Sequence, residues 1–407
     1  MDERAKQLQQ ALADQLKAGG LLNDPSIEAA FRHVPRHLFL PDFELDRVYI
    51  DDAIGTKFQP DGRPISSSSQ PAIMAIMLEQ LDLARGRRVL EIGAGTGYNA
   101  ALMAYIVGEE GCVLSVDIDE DIVASARAHL QTAGFGRVRV VQADGFRGLA
   151  EHAPFDRIIL TVGTEDIASA WWEQLAPGGR LVVPLDLAGR NTMVSAAFVR
   201  AEDHLESVSL RACGFMMLRG EAANESGGVA IDGRPDLMIA PNEPERVDPK
   251  AVAVEMHKPV RDYATEVGAL SWQLERDVRF WLAREGMKCF VLNRRRRAFA
   301  GLVDPNAIEE SSLGVLREGA LCTLILDRAG SDPNIAASVW VCCYGEASAL
   351  AKDIVESLRG WRDAGCPSAE CMRIRVYPKD APNIPVDAEI TLEKKSARLL
   401  LNWQGEG

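Results

Sequence analysis

One stretch limits the possible folds of this chain more than any other: Val89-Leu90-Glu91-Ile92-Gly93-Ala94-Gly95-Thr96-Gly97-Tyr98. Val89 to Ile92 reads as a buried strand, the glycines as a turn, and the apolar run from about Tyr98 through Val107 as a helix. Three glycines at alternate positions let the backbone turn tightly and approach a ligand with no Cβ in the way. The helix behind them directs its free N–H groups back at whatever sits there. Dinucleotide-binding enzymes use a related G-x-G-x-x-G. Here the spacing is G-x-G-x-G after a strand carrying Glu91. That spacing favours S-adenosylmethionine, whose methionine end bears an ammonium and a carboxylate, over a pyrophosphate.

Two further acidic residues bear on the same ligand. Val113 to Asp117 reads as a second strand, and Asp117 at its end is placed to accept from both ribose hydroxyls, with Ile118 beside it. Val138 to Val141 reads as a third strand, ending in Gln142-Ala143-Asp144-Gly145, where Asp144 is placed to accept from an adenine amino group. Carboxylates at successive strand ends of a doubly wound sheet converge on one crevice, where such sheets bind their ligands. Glu91, Gly93, Gly95, Gly97, Asp117, Ile118, Asp144 and Gly145 are therefore the expected cofactor residues. The competing readings are an NAD(P) fold with the same glycines, or plain turn carboxylates.

The alternation continues with a strand over 155–162, a helix over 167–175, a turn at Pro177-Gly178-Gly179 and a strand over 180–184. That rhythm predicts parallel βαβ units. Two closing strands, over 193–198 and 208–217, are expected as an antiparallel edge. Upstream, helices are expected over 3–18 and from Asp24-Pro25 onward. Ile65-Ser66-Ser67-Ser68-Ser69-Gln70-Pro71 then precedes a helix with Met74, Met77, Leu78 and Leu81 inward. A serine and a proline there are ordinary helix-start chemistry. The alternative is that the hydroxyls and N–H groups serve an oxyanion.

A chain of 407 residues favours two domains, because single cores tend to split beyond about 250–300 residues. Residues 219–250, rich in proline, glycine and acidic side chains, read as a connector with short strands at 229–231 and 237–239. Beyond it an α+β unit is expected, with helices at 270–284 and 347–361. Its strands are expected near 288–292, 321–326, 338–344, 371–377 and 388–393. Asn293 followed by Arg294 to Arg297 is either a solvated turn or a clamp for an acidic peptide, since arginine pairs bidentately with carboxylates. The net charge of −14 argues against nucleic acid as the main partner. No apolar run approaches the ~20 residues of a membrane span, and eight scattered cysteines fit a reduced, cytoplasmic chain with no metal site.

Taken together, the first 220 or so residues resemble the protein-L-isoaspartate O-methyltransferase family. The resemblance is carried by Val34-Pro35-Arg36, Phe39 and Pro41, by Tyr49-Ile50-Asp51, by Ile65 to Pro71, and by the Glu91–Gly97 turn with Asp144-Gly145. Ala153 to Ile158 and Gly178 to Pro184 add to it. It implies a Rossmann-like class I methyltransferase domain over 1–220, S-adenosylmethionine as cofactor, and an aspartyl or isoaspartyl carboxylate as methyl acceptor. Residues 221–407 would be an α+β accessory domain that recognises substrate.

The sequence departs from the family pattern in two ways. Extra serines leave the active-site register open between Ser66 and Ser69, and repair enzymes of the family usually lack anything like residues 221–407. The serine run, the Cys213–Gly220 stretch and the tail look more like relatives that tailor ribosomally made peptides such as lanthipeptides, lasso peptides and graspetides, methylating one aspartate to install an aspartimide. General isoaspartyl repair is the alternative, and a non-catalytic cofactor- or peptide-binding module is a third reading. On the leading reading Ser66 or Ser69 orients the acceptor carboxylate, and Thr161 lies near the sulfonium side. Trp272, Trp281 or Trp340 would anchor the peptide.

Overall fold

The computed structural model describes residues 3–60, 62–189, 192–221, 228–239, 247–294, 311–327 and 336–404. Its first two strands, β1 (Ile54–Phe58) and β2 (Pro64–Ser68), form an antiparallel hairpin that carries most of the serine run. Seven strands follow: β3 (Arg88–Ile92), β4 (Cys112–Asp117), β5 (Arg139–Gln142), β6 (Phe155–Leu160), β7 (Leu175–Asp186), β8 (Met193–Arg200) and β9 (Leu205–Ala212). They lie in the order β9-β8-β7-β6-β3-β4-β5, with β7, β6, β3, β4 and β5 mutually parallel and β8 and β9 antiparallel.

Side chains alternate across the parallel strands, as a pleated sheet buried on both faces requires. Val89, Val113 and Ile159 face a core built with the helices Glu3–Ala18, Pro25–His33, Pro71–Leu81, Tyr98–Val107 and Glu120–Thr132. Leu90, Ile92, Leu114, Val116, Ile158 and Leu160 face the opposite core, together with Trp171 from the helix Ser169–Gln174. The Tyr98–Val107 helix is apolar almost all round and almost wholly buried, as such a sequence demands.

The second sheet is antiparallel throughout. Its strands are β10 (Val229–Ile231), β11 (Arg234–Ile239), β12 (Val260–Ala269), β13 (Lys288–Arg294), β14 (Ser311–Arg317), β15 (Ala320–Asp327) and β16 (Ala337–Tyr344). They are ordered β10-β11-β13-β14-β15-β16-β12. Helix Ser348–Asp363 buries Leu350, Ile354, Leu358 and Trp361 against one face, and helix Pro249–Met256 covers the other. The helix expected over 270–284 is built of three pieces, with a π-helical turn at Leu274–Val278 in the middle.

A boundary at residue 220 divides this chain differently from its sheets. Strands β17 (Met372–Pro378), β18 (Ile390–Glu393) and β19 (Ala397–Trp403) leave the second sheet and return to the first, extending it as β18-β19-β17-β9. The reason is apolar: Ile374, Val376, Leu399 and Leu401 complete the core under β6 to β8. Arg373 also pairs with Glu206, and the Ile374 N–H donates to Ser207 Oγ at 2.8 Å.

Five strands in all, β1, β2, β12, β14 and β19, have no counterpart in the sequence-based reading. The strand expected over 208–217 stops at Ala212, and residues 213–221 instead run as a strap across the ends of the parallel strands.

Candidate active site

The chain order of the parallel strands reverses between β3 and β6, so the connections after these two diverge and leave a crevice at their carboxyl ends. That crevice is a cleft of about 800 Å³ including its open mouth. The glycine turn forms its floor. Gly93, Gly95 and Gly97 all hold positive φ (102°, 50° and 87°), a conformation side chains resist. A Cβ on Gly93 would lie 2.6 Å from Thr161 Oγ1, and one on Gly95 3.1 Å from the Ser67 carbonyl. Gly97 starts the following helix and packs against Leu130 and Ala126 rather than the cleft.

Opposite the turn stands the serine run. It does not cap the next helix: Ser66 to Ser68 are in β2, and the N-cap residue Gln70 makes no side-chain cap bond. Asp51 does the capping from a distance, its Oδ1 accepting from the Ala72 N–H at 2.8 Å while Gln70 Nε2 donates to its Oδ2 at 3.2 Å. The buried Arg36 holds the strand end. Its Nη2 donates to the carbonyls of Asp52 and Ser69 at 3.3 and 3.1 Å and to Ser68 Oγ at 3.4 Å. The segments Val34-Pro35-Arg36 and Tyr49-Ile50-Asp51 thus support the serine hairpin, a role that no local propensity could reveal.

The cleft brings together Ser66, Ser69, Thr161, Gly93, Gly95, Asp117, Ile118 and Gly145. Asp117 accepts from the Gly95 and Asp119 N–H groups, both at 3.3 Å, and burial raises its pKa. Thr161 donates to the Gly93 carbonyl at 2.6 Å, so its hydroxyl braces the turn.

Three expected cofactor residues stand outside the cleft lining: Gly97, as described above, Glu91 and Asp144. Glu91 faces the helical side of the sheet, fully buried, where Asn99 Nδ2 donates to one oxygen at 2.8 Å and Ser115 Oγ to the other at 2.5 Å. Strand parity decides this, because Ile92 takes the opposite face and Ser115 is Glu91's partner on β4. Burial pushes the Glu91 carboxyl up to about 7. Asp144 caps the next turn through the Phe146 N–H (3.0 Å) and receives the Glu221 N–H (2.8 Å), so both its oxygens are engaged by backbone.

Other residues lining the cleft escaped the sequence. Met216, Met217, Leu218 and Arg219 of the strap close one side, and Tyr98 and Asn99 lie at the helix start. A parallel bridge from Met217 to Gly163 and the Leu218 N–H to Gly163 carbonyl bond (2.7 Å) hold the strap in place. Asn99 Oδ1 is buried without a hydrogen-bond partner. Among the substrate-anchor candidates, Trp281 is buried, donating to the Ser357 carbonyl and packed on Trp403. Trp272 is exposed beneath Arg276, and Trp340 is half-buried. Arg295 to Arg297 lie outside the described residues, as does the Arg294 side chain. Among the described residues no three His, Cys, Asp or Glu side chains are grouped to hold a metal, and no helix is long and apolar enough to cross a membrane.

A glycine floor that excludes any Cβ, a carboxylate at the second strand end, and an unpartnered amide oxygen at the helix start fit a ligand with ribose hydroxyls and an ammonium group. The fold and this cleft define a class I S-adenosylmethionine-dependent methyltransferase. The chain belongs to the protein-L-isoaspartate(D-aspartate) O-methyltransferase (PCMT) family, whose model matches residues 6–223.

It is similar to protein-L-isoaspartate O-methyltransferase of Thermotoga maritima, 39% identical over 180 residues that cover 44% of this chain and 56% of the relative. The enzyme of that name from Methanopyrus kandleri is 37% identical over 185 residues, 45% of this chain and 79% of its own. A solved structure named protein-L-isoaspartate O-methyltransferase superposes with a TM-score of 0.51 at 25% identity, covering 90% of this chain and 96% of its own. That coverage extends well past residue 221, so a second region of this kind is not peculiar to this chain.

Proposed function

We propose that this chain transfers a methyl group to the carboxylate of an isoaspartyl or aspartyl residue in a peptide or protein. The observation that carries this reading is the serine strand set opposite the glycine turn, with Ser66 and Ser69 lining the same cleft as Gly93, Gly95, Asp117 and Thr161. A carboxylate has a reference pKa near ~4 and is already a nucleophile at neutral pH. The reaction therefore asks for alignment more than for acid–base chemistry, and alignment can supply up to ~7–11 kcal/mol.

S-adenosylmethionine supplies an activated methyl group. Around it the chain's own groups have separate tasks. Asp117 accepts from ribose hydroxyls, Thr161 keeps the glycine turn rigid, and the strap of Met216 to Arg219 excludes water. Ser66, whose Oγ accepts from Thr56 Oγ1 at 3.3 Å, keeps its own proton free to orient the acceptor carboxylate.

The sequence points further, to a ribosomally made and already modified peptide as substrate and to an aspartimide formed when the next backbone nitrogen displaces methanol. The serine run and the 213–220 strap support that narrower reading. Against it stands the isoaspartyl name of the solved structure whose fold covers both sheets, which favours repair of damaged residues.

Mass spectrometry after incubation with cofactor separates the two. An isoaspartyl peptide, its aspartyl counterpart and a macrocyclic aspartyl peptide are the substrates. Methyl ester on the linear isoaspartyl peptide alone supports repair; ester and then methanol loss on the macrocycle alone supports tailoring. Methyl transfer to none of the three, by protein that still binds cofactor, overturns carboxylate methylation.

A further inference from the structure

The two walls of the cleft, the serine hairpin and the 213–221 strap, are far apart in sequence but share one carboxylate. Asp119 lies in the turn after β4, two residues beyond Asp117. From the strap, Arg219 donates to it with both terminal nitrogens, Nη1 to Oδ1 at 3.2 Å and Nη2 to Oδ2 at 2.8 Å. From β1 of the hairpin, Lys57 Nζ donates to Oδ2 at 2.9 Å and to Asp121 Oδ1 at 2.7 Å. Arg219 itself lines the cleft. The Asp119 N–H meanwhile donates to Asp117 Oδ1 at 3.3 Å, so the same turn also steadies the cleft carboxylate.

We infer that Asp119 is a latch for the cofactor: it clasps the strap to the serine hairpin across the mouth of the cleft, and bound cofactor escapes only when the clasp opens. Isolated surface ion pairs contribute little, but this one differs in kind. The arginine pairs through two nitrogens, which fixes its geometry. One carboxylate serves two cations, one from the strap and one from the strand paired with the serine strand, and that carboxylate is only 19% exposed. Arg219 and Lys57 hold it below the usual carboxylate range. Asp119 touches neither cofactor nor acceptor in this scheme; it is a positioning residue that acts on cofactor residence through Arg219 and Lys57.

The inference rests on the cofactor cleft and not on which carboxylate receives the methyl group, so its test reads cofactor release alone. The full chain is loaded with tritiated S-adenosylmethionine, chased with unlabelled cofactor, and sampled for retained label. Asp119→Asn and Arg219→Met should each speed release about ten-fold, a difference of about 1.4 kcal/mol. The double variant should release no faster than the faster single one, because both remove the same contact. Arg219→Lys should recover part of the retention. Added salt should speed release from the wild-type chain but not from Asp119→Asn.

Wild-type release rates in folded Asp119→Asn, or additive effects in the double variant, would overturn the latch. Should Arg219→Met lose its circular-dichroism signature, Lys57→Met tests the same carboxylate from the hairpin side, and unchanged release there is equally fatal. Faster release in these variants alongside no methylation of any isoaspartyl or aspartyl peptide would keep the latch and remove the acceptor assignment.

Discussion

The Thr161 hydroxyl donates to the Gly93 carbonyl at 2.6 Å, and a methyl group added to Gly93 would fall 2.6 Å from that same hydroxyl oxygen. The brace and the obstacle are one atom. Gly93→Ala must therefore both adopt a φ of 102° and push Thr161 aside. A strained backbone of this kind costs on the order of 1–3 kcal/mol, so cofactor affinity should fall by roughly ten- to a hundred-fold. Calorimetric titration measures it. Adding Thr161→Ala should return part of the loss if the clash is its cause.

Asp117→Ala should weaken cofactor binding by about 1–3 kcal/mol, the cost of leaving buried hydroxyls without an acceptor. Asp144→Ala should weaken it less and lower the unfolding temperature more, because that carboxylate ties Phe146 and Glu221 rather than lining the cleft. Titration and thermal unfolding on the same two variants distinguish these outcomes. Equal affinity losses would place Asp144 against the ligand after all.

Glu91 gives the fold a pH dependence of definite sign. Its carboxyl titrates at about 7 in the folded chain against 4.5 ordinarily, because burial disfavours the charge. Between these values the folded chain keeps a proton that the unfolded chain has released. Stability therefore falls as pH rises through this window, by an amount on the order of 3 kcal/mol in all. Glu91→Gln should flatten that slope in urea unfolding measured from about pH 5 to about pH 8. An unaltered slope would assign the dependence to other groups.

Between the two serine candidates, Ser66 should matter more. Ser66→Ala should lower kcat/KM for the acceptor by roughly ten- to a hundred-fold, the worth of one hydrogen bond to a charged group, and leave cofactor affinity near wild type. Ser69 offers Arg36 its carbonyl, which alanine preserves, so Ser69→Ala should be milder. Steady-state kinetics on an isoaspartyl peptide decides the register, and a greater loss at Ser69 would reverse it.

The parallel strands, the glycine turn and Asp117 were legible because each depends on a local pattern: an apolar run, a glycine spacing, an acidic strand end. Glu91 and Asp144 fit the same pattern, but three-dimensional detail sets both outside the lining of the cleft. Strand parity turned Glu91 beneath the sheet, and a backbone N–H from residue 221 claimed Asp144. Local chemistry alone allows the serine run to be either a helix cap or an oxyanion site; the capping falls to Asp51, 21 residues before Ala72. Met216 to Arg219 carry no periodicity that separates a strap from a strand end. The return of β17 to β9 was equally hidden, since Ile374 and its neighbours look like any half-buried strand.

Removing residues 221–407 should not yield a free catalytic unit. It strips β17 from β9 and uncovers the apolar side chains that Ile374, Val376, Leu399 and Leu401 bury. An open edge of this sort pairs with other chains. Light scattering of the 1–220 fragment should show aggregation, and a soluble monomer that binds cofactor would refute this.

The same return sets a schedule for biosynthesis. During translation β9 emerges long before its partner, since Glu206 meets Arg375 only after every strand of the second sheet has been made. A pairing that spans so much chain is slow to close, and the growing chain meanwhile displays an unpaired strand beside exposed apolar surface. The methyl-transfer machinery is thus encoded early and completed late. A nascent chain stalled within the second sheet would carry every cofactor residue and still lack a finished sheet to hold them.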